Sequence, residues 1–306
     1  MPQGKPSQGH QAAWHTLSSK YPRPLDGVCR PMRGNPVTIV LKKGATPTNT
    51  YTFRPVPINL EAAFNKELDE QIAAGILEEA NDTNDPGEWL NPMVVTRKKD
   101  PTKVRITVDL RELNKATHRP VYPSPSPWHL VCRIPASAHF FTVLDGLKGF
   151  HQIDLAKSSR KLTTFATPRG RMRYLRMPMG WHASSDVFNE RMAAAFKGIP
   201  NMTRLVEDIL IHSPTWEEHM VDVARVLHVA NENDISFNRD KVQFAQTEVK
   251  FGGFVISQGH YCIDPSLTED LRTFPVPVNR HQLRSFLGLA QQLGDSPRRS
   301  HASQSH

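Results

Sequence analysis

From about residue 60 to 77, apolar side chains recur every four positions, at Leu60, Phe64, Leu68, Ile72 and Ile76, with charged residues between them. This period lays one apolar stripe along an amphipathic helix. A stretch rich in Asn, Asp and Gly over 81–87 leads to apolar, partly β-branched runs at 93–96 and 104–108, predicted as strands joined by a basic turn over 97–103. Three prolines within 123–127 halt both helix and central strand and mark a border. Strand-like runs then follow at 140–144, ending in Asp145, and at 152–155, 161–165 and 171–176. Ser184 or Ser185 is placed to cap a helix carrying Phe188, Met192 and Phe196. Two short β-like runs, 204–207 and 209–212, meet at Asp208, and a helix over 215–230 buries Trp216, Met220, Val223 and Leu227. A hairpin is expected over 250–257 with a return near Tyr261, then short helices over 266–273 and 281–293. Residues 1–20 are polar and aperiodic, so loop or disorder is expected there, and the tail 294–306 has no apolar face to order it. Helices and strands mix without βαβ alternation, which predicts an α+β fold built on antiparallel sheet in more than one subdomain.

A chain of 306 residues with 38% hydrophobic content can bury a substantial core. Its net charge of +8 favours a polyanionic partner. The placement of that charge says more than its size. Residues 97–119 hold eight basic and three acidic side chains, and 157–176 hold seven basic and none acidic. Two such strips point to an anion-binding groove.

Three distant cysteines, Cys29, Cys132 and Cys262, suggest neither a disulfide framework nor a zinc site, and none of the 14 histidines falls in a Cys/His cluster. A reducing, intracellular setting is expected, cytoplasmic or nuclear. No stretch approaches the ~18 apolar residues of a membrane span, and no secretion signal opens the chain.

Acids inside apolar runs are costly unless a cation or donors meet them. Asp145 ends one such run, and Glu207 and Asp208 interrupt another formed by Leu205, Val206, Ile209, Leu210 and Ile211. Singly, each fits a turn or an ion pair. Together they suggest oxygen ligands for Mg²⁺, two ions of which clamp an attacking hydroxyl and a leaving phosphate.

Ordered motifs complete the picture. Val104 to Lys115 (VRITVDLRELNK), Phe141 to Asp145 (FTVLD), Gly149 to Ile153 (GFHQI), Leu162 to Phe165 (LTTF), Leu175 to Gly180 (LRMPMG), Val206 to Leu210 (VEDIL) and Val249 to Ser257 (VKFGGFVIS) resemble, in order and spacing, the motifs of Ty3/gypsy-type reverse transcriptases of long-terminal-repeat retrotransposons. The likeness covers about residues 28–293. It implies a right-hand polymerase fold, with an irregular segment over 1–27, fingers over 28–127, a palm over 128–264 with an antiparallel sheet, and a truncated thumb over 265–293. It implies RNA-directed DNA synthesis, with an RNA template, a DNA primer and deoxynucleoside triphosphates as partners. Asp145, Glu207 and Asp208 would bind two Mg²⁺ or Mn²⁺ ions. Lys98 or Lys99, Arg105, Phe150 and Met179 would meet the nucleotide, Phe150 beneath its sugar. Phe251, Gly252 and Gly253 would hold the primer end, and Arg169 and Arg171 the backbone phosphates.

The sequence departs from the family at two places: Leu205 stands where an aromatic residue is usual, and Glu207 where Asp is usual. Two readings follow, an active polymerase and a remnant that binds primer and template with little or no turnover. The protease, ribonuclease H and integrase of such elements have no counterpart in this sequence, so the chain reads as a piece of a longer polyprotein.

Overall fold

The computed structural model describes residues 8–48, 54–80, 89–98 and 100–294. The first difference from expectation lies at the start. Residues Gln8–Lys20 form a helix, α1, rather than loop. Its weak stripe of Ala13, Trp14 and Leu17 becomes stabilising only against distant rings: Trp14 lies 5.0 Å from Phe244 and His10 stacks on Trp216 at 4.5 Å. Local periodicity could not report those partners.

Helix α2 (Glu61–Ala73) carries the predicted four-residue stripe but ends short of 77. Gly75, at φ 62°, turns the chain left-handed after Ala74, so Ile76 and Leu77 go elsewhere, Leu77 opening strand β1 (Leu77–Glu79). Strands β2 (Met93–Arg97) and β3 (Val104–Val108) pair antiparallel as expected, followed by α3 (Arg111–Ala116). The proline-rich border differs in one respect, since Pro127 begins helix α4 (Pro127–Val131). Proline tolerates the first helical turn, where its missing N–H is not needed.

Strand β4 (Phe140–Asp145) is followed by a 3₁₀ turn at Gly149–Gln152 and not by a strand over 152–155. There the Gln152 carboxamide donates to the Leu147 and Ser236 carbonyls and accepts from the Ser236 N–H, which pins a turn. Likewise α5 (Lys157–Arg160) runs into a 3₁₀ turn at Lys161–Thr163, where a strand was expected, and β5 covers Phe165–Thr167. Strand β6 (Gly170–Tyr174) joins β1 and β5 in a three-stranded sheet. Helix α6 (Ser184–Ala195) has no side-chain cap; the Ser184 hydroxyl instead donates to the Pro178 carbonyl at 2.8 Å.

The centre of the molecule is an antiparallel sheet of order β7 (Met202–Leu205), β8 (Asp208–Ser213), β4 and a later strand, β9 (Gln243–Gln246). The run expected over 204–207 stops at Leu205, and Val206 and Glu207 form the turn into β8. Helix α7 (Trp216–Glu232) covers this sheet; Thr215 caps it by accepting from the Glu218 N–H. Val223 and Leu227 are fully buried, while Trp216 and Met220 are only partly so. The run expected over 250–257 instead bends at Gly252 and Gly253, where positive φ is available to glycine, pairing β10 (Glu248–Phe251) with β11 (Phe254–Ser257); the expected return near Tyr261 is β12 (His260–Ile263). Helices α8 (Pro265–Arg272) and α9 (Arg280–Gly294) follow, and the expected disordered tail from 295 onward lies outside the described residues.

A polar network crosses the core between sheet and α7. His219, fully buried, meets the Thr142 hydroxyl at 2.8 Å and the Ser213 hydroxyl at 3.1 Å, and Ser213 donates to Asp222 at 2.8 Å. Burial pushes His219 down to about 4, and burial does the same to His151 against Tyr174. An unfolded histidine takes a proton near 6.5, whereas these two stay neutral until about 4. Their stabilising effect is therefore complete above pH 6.5 and is lost as pH falls from 6.5 towards 4. Denaturant melts between pH 7.5 and 4.5 should show that acid loss, and His219→Gln should flatten part of it.

Candidate active site

Two strand ends create the site. In the β4 to β8 register Phe141 faces His212, Val143 faces Leu210, and Asp145 faces Asp208 at the final pair. The strands are apolar and buried, so their pairing fixes where the two acids emerge. Leu205 pairs with Asp208 across a two-residue turn, in which Val206 has φ 52°. A β-branched residue in left-handed backbone costs about 1–2 kcal/mol, and such strain persists only where surrounding structure enforces it. Here the Gly146 N–H donates to the Glu207 carbonyl at 3.0 Å, tying the turn to the end of β4.

Glycine makes that tie sterically feasible. A methyl at Gly146 would stand 3.1 Å from the Glu207 carbonyl oxygen, and one at Gly149 would stand 2.9 Å from Glu207 Oε2 and 3.2 Å from Phe188 Cζ. The Glu207 carboxylate thus lies over Gly149. Among the described residues, no group of three or more His, Cys, Asp or Glu side chains is arranged to hold one metal ion.

The electrostatics are those of a crowded anionic site. Burial, then the Asp145 and Asp208 charges, push Glu207 upward; burial and Asp145 push Asp208 up to about 6. Lys241 offsets part of this, its ammonium donating to both Asp145 oxygens at 3.0 Å. Arg105, on β3, also draws Glu207 downward. A divalent cation would relieve the same repulsion with oxygen donors it prefers, so the donor set fits Mg²⁺ or Mn²⁺.

The other sequence candidates divide. Phe150 is half-buried edge-on to Phe188 at 5.8 Å, close to the carboxylate turn through Gly149. Met179 is half-buried in the turn before α6, which Asn114 staples by donating to the Gly180 carbonyl at 2.8 Å and accepting from the His182 N–H at 2.9 Å. Lys98 is turned away, paired at 3.0 Å with Glu67 on α2, and Lys99 lies outside the described residues. Phe251 is buried, and Gly252 and Gly253 form the β10 to β11 turn at φ 59° and 86°. A methyl at Gly252 would meet Leu205 Cδ2 at 2.9 Å, so this hairpin lies directly against the carboxylate-bearing one.

Much of the basic excess is spent on internal pairs. Arg169 pairs with Asp69 at 2.6 Å, Arg173 with Glu78 at 2.6 Å, Arg176 with Asp154 at 3.0 Å and Arg119 with Asp186 at 2.8 Å. Arg97, Arg105, Lys157 and Arg171 have no ion-pair partner among the described residues. Sequence reasoning missed Lys241, and it gave no role to Gly149 and Asn114 although both stand in the ordered motifs. Lys241 sits 96 positions from the acid it neutralises, and no local pattern marks that distance.

An antiparallel sheet with paired acids at two strand ends, flanked by a glycine hairpin, defines the palm of a right-hand polymerase. The chain belongs to the reverse transcriptase (RNA-dependent DNA polymerase) family, whose model matches residues 96–256. It is 28% identical over 240 residues to the retrovirus-related Pol polyprotein from transposon 297 of Drosophila melanogaster, covering 77% of this chain and 22% of that protein. It is 29% identical over 277 residues to the transposon Tf2-3 polyprotein of Schizosaccharomyces pombe, covering 89% of this chain and 20% of that one. These relatives bear out the retrotransposon resemblance, and the chain spans about a fifth of their length. The foamy viral protease-reverse transcriptase in complex with RNA/DNA hybrid has the same fold, with TM-score 0.80 and 19% identity over 94% of this chain and 38% of that one. Among the described residues, no helix is long and apolar enough to cross a membrane.

The crowding of carboxylates generates a prediction that needs no substrate. Because Asp208 is raised to about 6, its ionisation lowers stability as pH rises from about 4 to 6, and the penalty is full above 6. Asp208→Asn should raise the metal-free melting temperature at pH 7.5, and the gain over the parent should vanish below pH 4.

Proposed function

We propose that the chain performs RNA-directed DNA synthesis, in which a primer 3′-hydroxyl attacks the α-phosphate of a deoxynucleoside triphosphate and pyrophosphate leaves. The observation carrying this reading is the placement of Asp145 opposite Asp208 at paired strand ends, beside the glycine hairpin. Asp145 and Asp208 hold Mg²⁺ or Mn²⁺, with Glu207 as the third carboxylate. When bound, two such ions neutralise charge on the phosphates and favour the deprotonated hydroxyl. Arg105, exposed on β3 and near enough to act on Glu207, binds the triphosphate; Lys98 joins it only by releasing Glu67. Phe150 and Met179 bound the nucleotide, and Phe150 under the sugar selects deoxyribose. Phe251, Gly252 and Gly253 seat the primer end against Leu205. Arg171, exposed and unpaired, contacts backbone phosphates, and Arg169 does so in exchange for Asp69.

In this reading fingers span 28–127, the palm 128–264 and a partial thumb 265–293. The protein acts inside the cell on an RNA template and DNA primer; among its structural neighbours one is in complex with an RNA/DNA hybrid and others with double-stranded DNA. A second reading, a nucleic-acid-binding remnant, draws on one observation: Glu207 lies over Gly149, outside any three-carboxylate cluster among the described residues.

Primer extension on an RNA template separates the two. Asp145→Asn and Asp208→Asn should each abolish extension while leaving hybrid affinity within about twofold, since neutralising a metal-binding carboxylate removes transition-state stabilisation rather than contacts to the nucleic-acid backbone. Extension by either variant at the parental rate would move the chemistry elsewhere, and no extension by the parent in either metal would favour the remnant.

Glu207 supplies a further expectation. Its extra methylene displaces a carboxylate in a site where about 1 Å of misplacement costs on the order of a hundredfold in rate, and Mg²⁺ tolerates displacement poorly. Glu207→Asp should raise Mg²⁺-dependent extension, and the parent should work better in Mn²⁺. A lower rate for Glu207→Asp would mean that the turn is adapted to Glu.

A further inference from the structure

β7 is the edge of the central sheet, and beside it lies a cavity of ≈ 370 Å³ that the polymerase reading does not use. Its walls come from the proline-rich connector, the end of α4, α6 and β7 itself. The chemistry of the lining is one-sided. Arg204 faces it with Nη1 buried and without a hydrogen-bond partner, and burial lowers the guanidinium below its ordinary range. Arg133, exposed on the rim, has no carboxylate partner among the described residues.

Asn189 is an independent third observation. It is 6% exposed, lines the cavity, and its carboxamide has no hydrogen-bond partner among the described residues. Its amide is therefore free to donate to a group placed in the cavity. No Asp or Glu lines the space. The nearest acids are engaged: Asp186 accepts from Arg119 and from the Tyr122 N–H, and Asp222 from Asn201, Ser213 and Arg225. A donor-rich, acid-free cavity holding two unpaired guanidiniums suits an oxyanion, because guanidinium binds phosphate oxygens through paired N–H groups.

We propose that this cavity binds a phosphate group, held by Arg204 and Arg133 with Asn189 donating a neutral hydrogen bond. The space exceeds a bare phosphate, and Pro123, Pro125, Leu130 and Met202 supply apolar surface, so a phosphate monoester with a small organic body fits its chemistry. Such a phosphate is carried by a small molecule or by the 5′ end of a nucleic-acid strand. None of the residues lining this cavity is one the polymerase reading uses, so the proposal does not depend on that reading.

Calorimetric titration of the full chain with inorganic phosphate, at fixed ionic strength against chloride, tests this. Saturable binding is expected, weakened about tenfold by Arg204→Gln and by Arg133→Gln, each of which removes a charge-assisted hydrogen bond. Arg133 is exposed, so Arg133→Gln should keep the parental melting temperature in chloride and carries the test even if Arg204→Gln fails to fold. A 5′-phosphorylated oligonucleotide that displaces phosphate better than its unphosphorylated twin identifies a strand end as the source; displacement by neither identifies a small molecule, and equal displacement by both, through internal phosphodiesters, overturns a monoester site. No phosphate heat beyond chloride, or unchanged affinity in Arg133→Gln, overturns the proposal.

Discussion

Two like-charged carboxylates are held side by side because the strands that bear them cannot slide. Asp145 and Asp208 end the β4 to β8 register; on one face Leu144, Ile209 and Ile211 are buried with residues of α6 and α7, and on the other Phe141, Val143 and Leu210 are buried with Val131 of α4 and the β10–β11 hairpin. A one-residue slip would exchange the two faces of the strand and bury the wrong side chains, so the core enforces a pairing that electrostatics opposes. Burial of Val, Leu, Ile or Phe side chains contributes roughly 1.5–3 kcal/mol each, and several such residues outweigh one strained carboxylate pair.

The surrounding details read as adjustments to that constraint. Lys241 supplies a positive charge to Asp145, and the left-handed Val206 turn returns the chain within two residues. Gly146 and Gly149 leave room for Glu207, and Gly252 leaves room for Leu205. The last contact matters for the departures from the family. Leu205 packs its Cδ2 into the hollow beside Gly252, so the position that is usually aromatic acts here as the wedge between the two hairpins.

Charge has a different distribution from its sequence. The strips 97–119 and 157–176 look like a continuous anion groove in the chain, yet several of their cations close internal pairs that join α2, β1 and α6 to the rest. Pairs between partly exposed groups are worth about 0–1 kcal/mol each, so they orient elements more than they stabilise them. What remains without a carboxylate partner among the described residues of these strips is a sparser set that includes Arg97, Arg105, Lys157, Arg160 and Arg171, together with the two guanidiniums beside β7.

The sequence by itself determined the strands at 93–96, 104–108 and 140–144 to within a residue, the helices with a strong four-residue stripe and the acids at strand ends, because each rests on a local period or a local steric rule. It also carried the family, through ordered motifs that the family model matches over 96–256. It did not contain the helix at Gln8–Lys20, whose His10 and Trp14 rings find partners in Trp216 and Phe244 more than two hundred positions away. Nor did it contain the turns at Gly149–Gln152 and Lys161–Thr163, where side-chain hydrogen bonds to remote backbone overrode a strand-like pattern. The tertiary structure alone decided that Lys98 faces Glu67, that Lys241 faces Asp145 and that Glu207 rests over Gly149, since a side chain's charge is written in the sequence but its neighbour is chosen by packing.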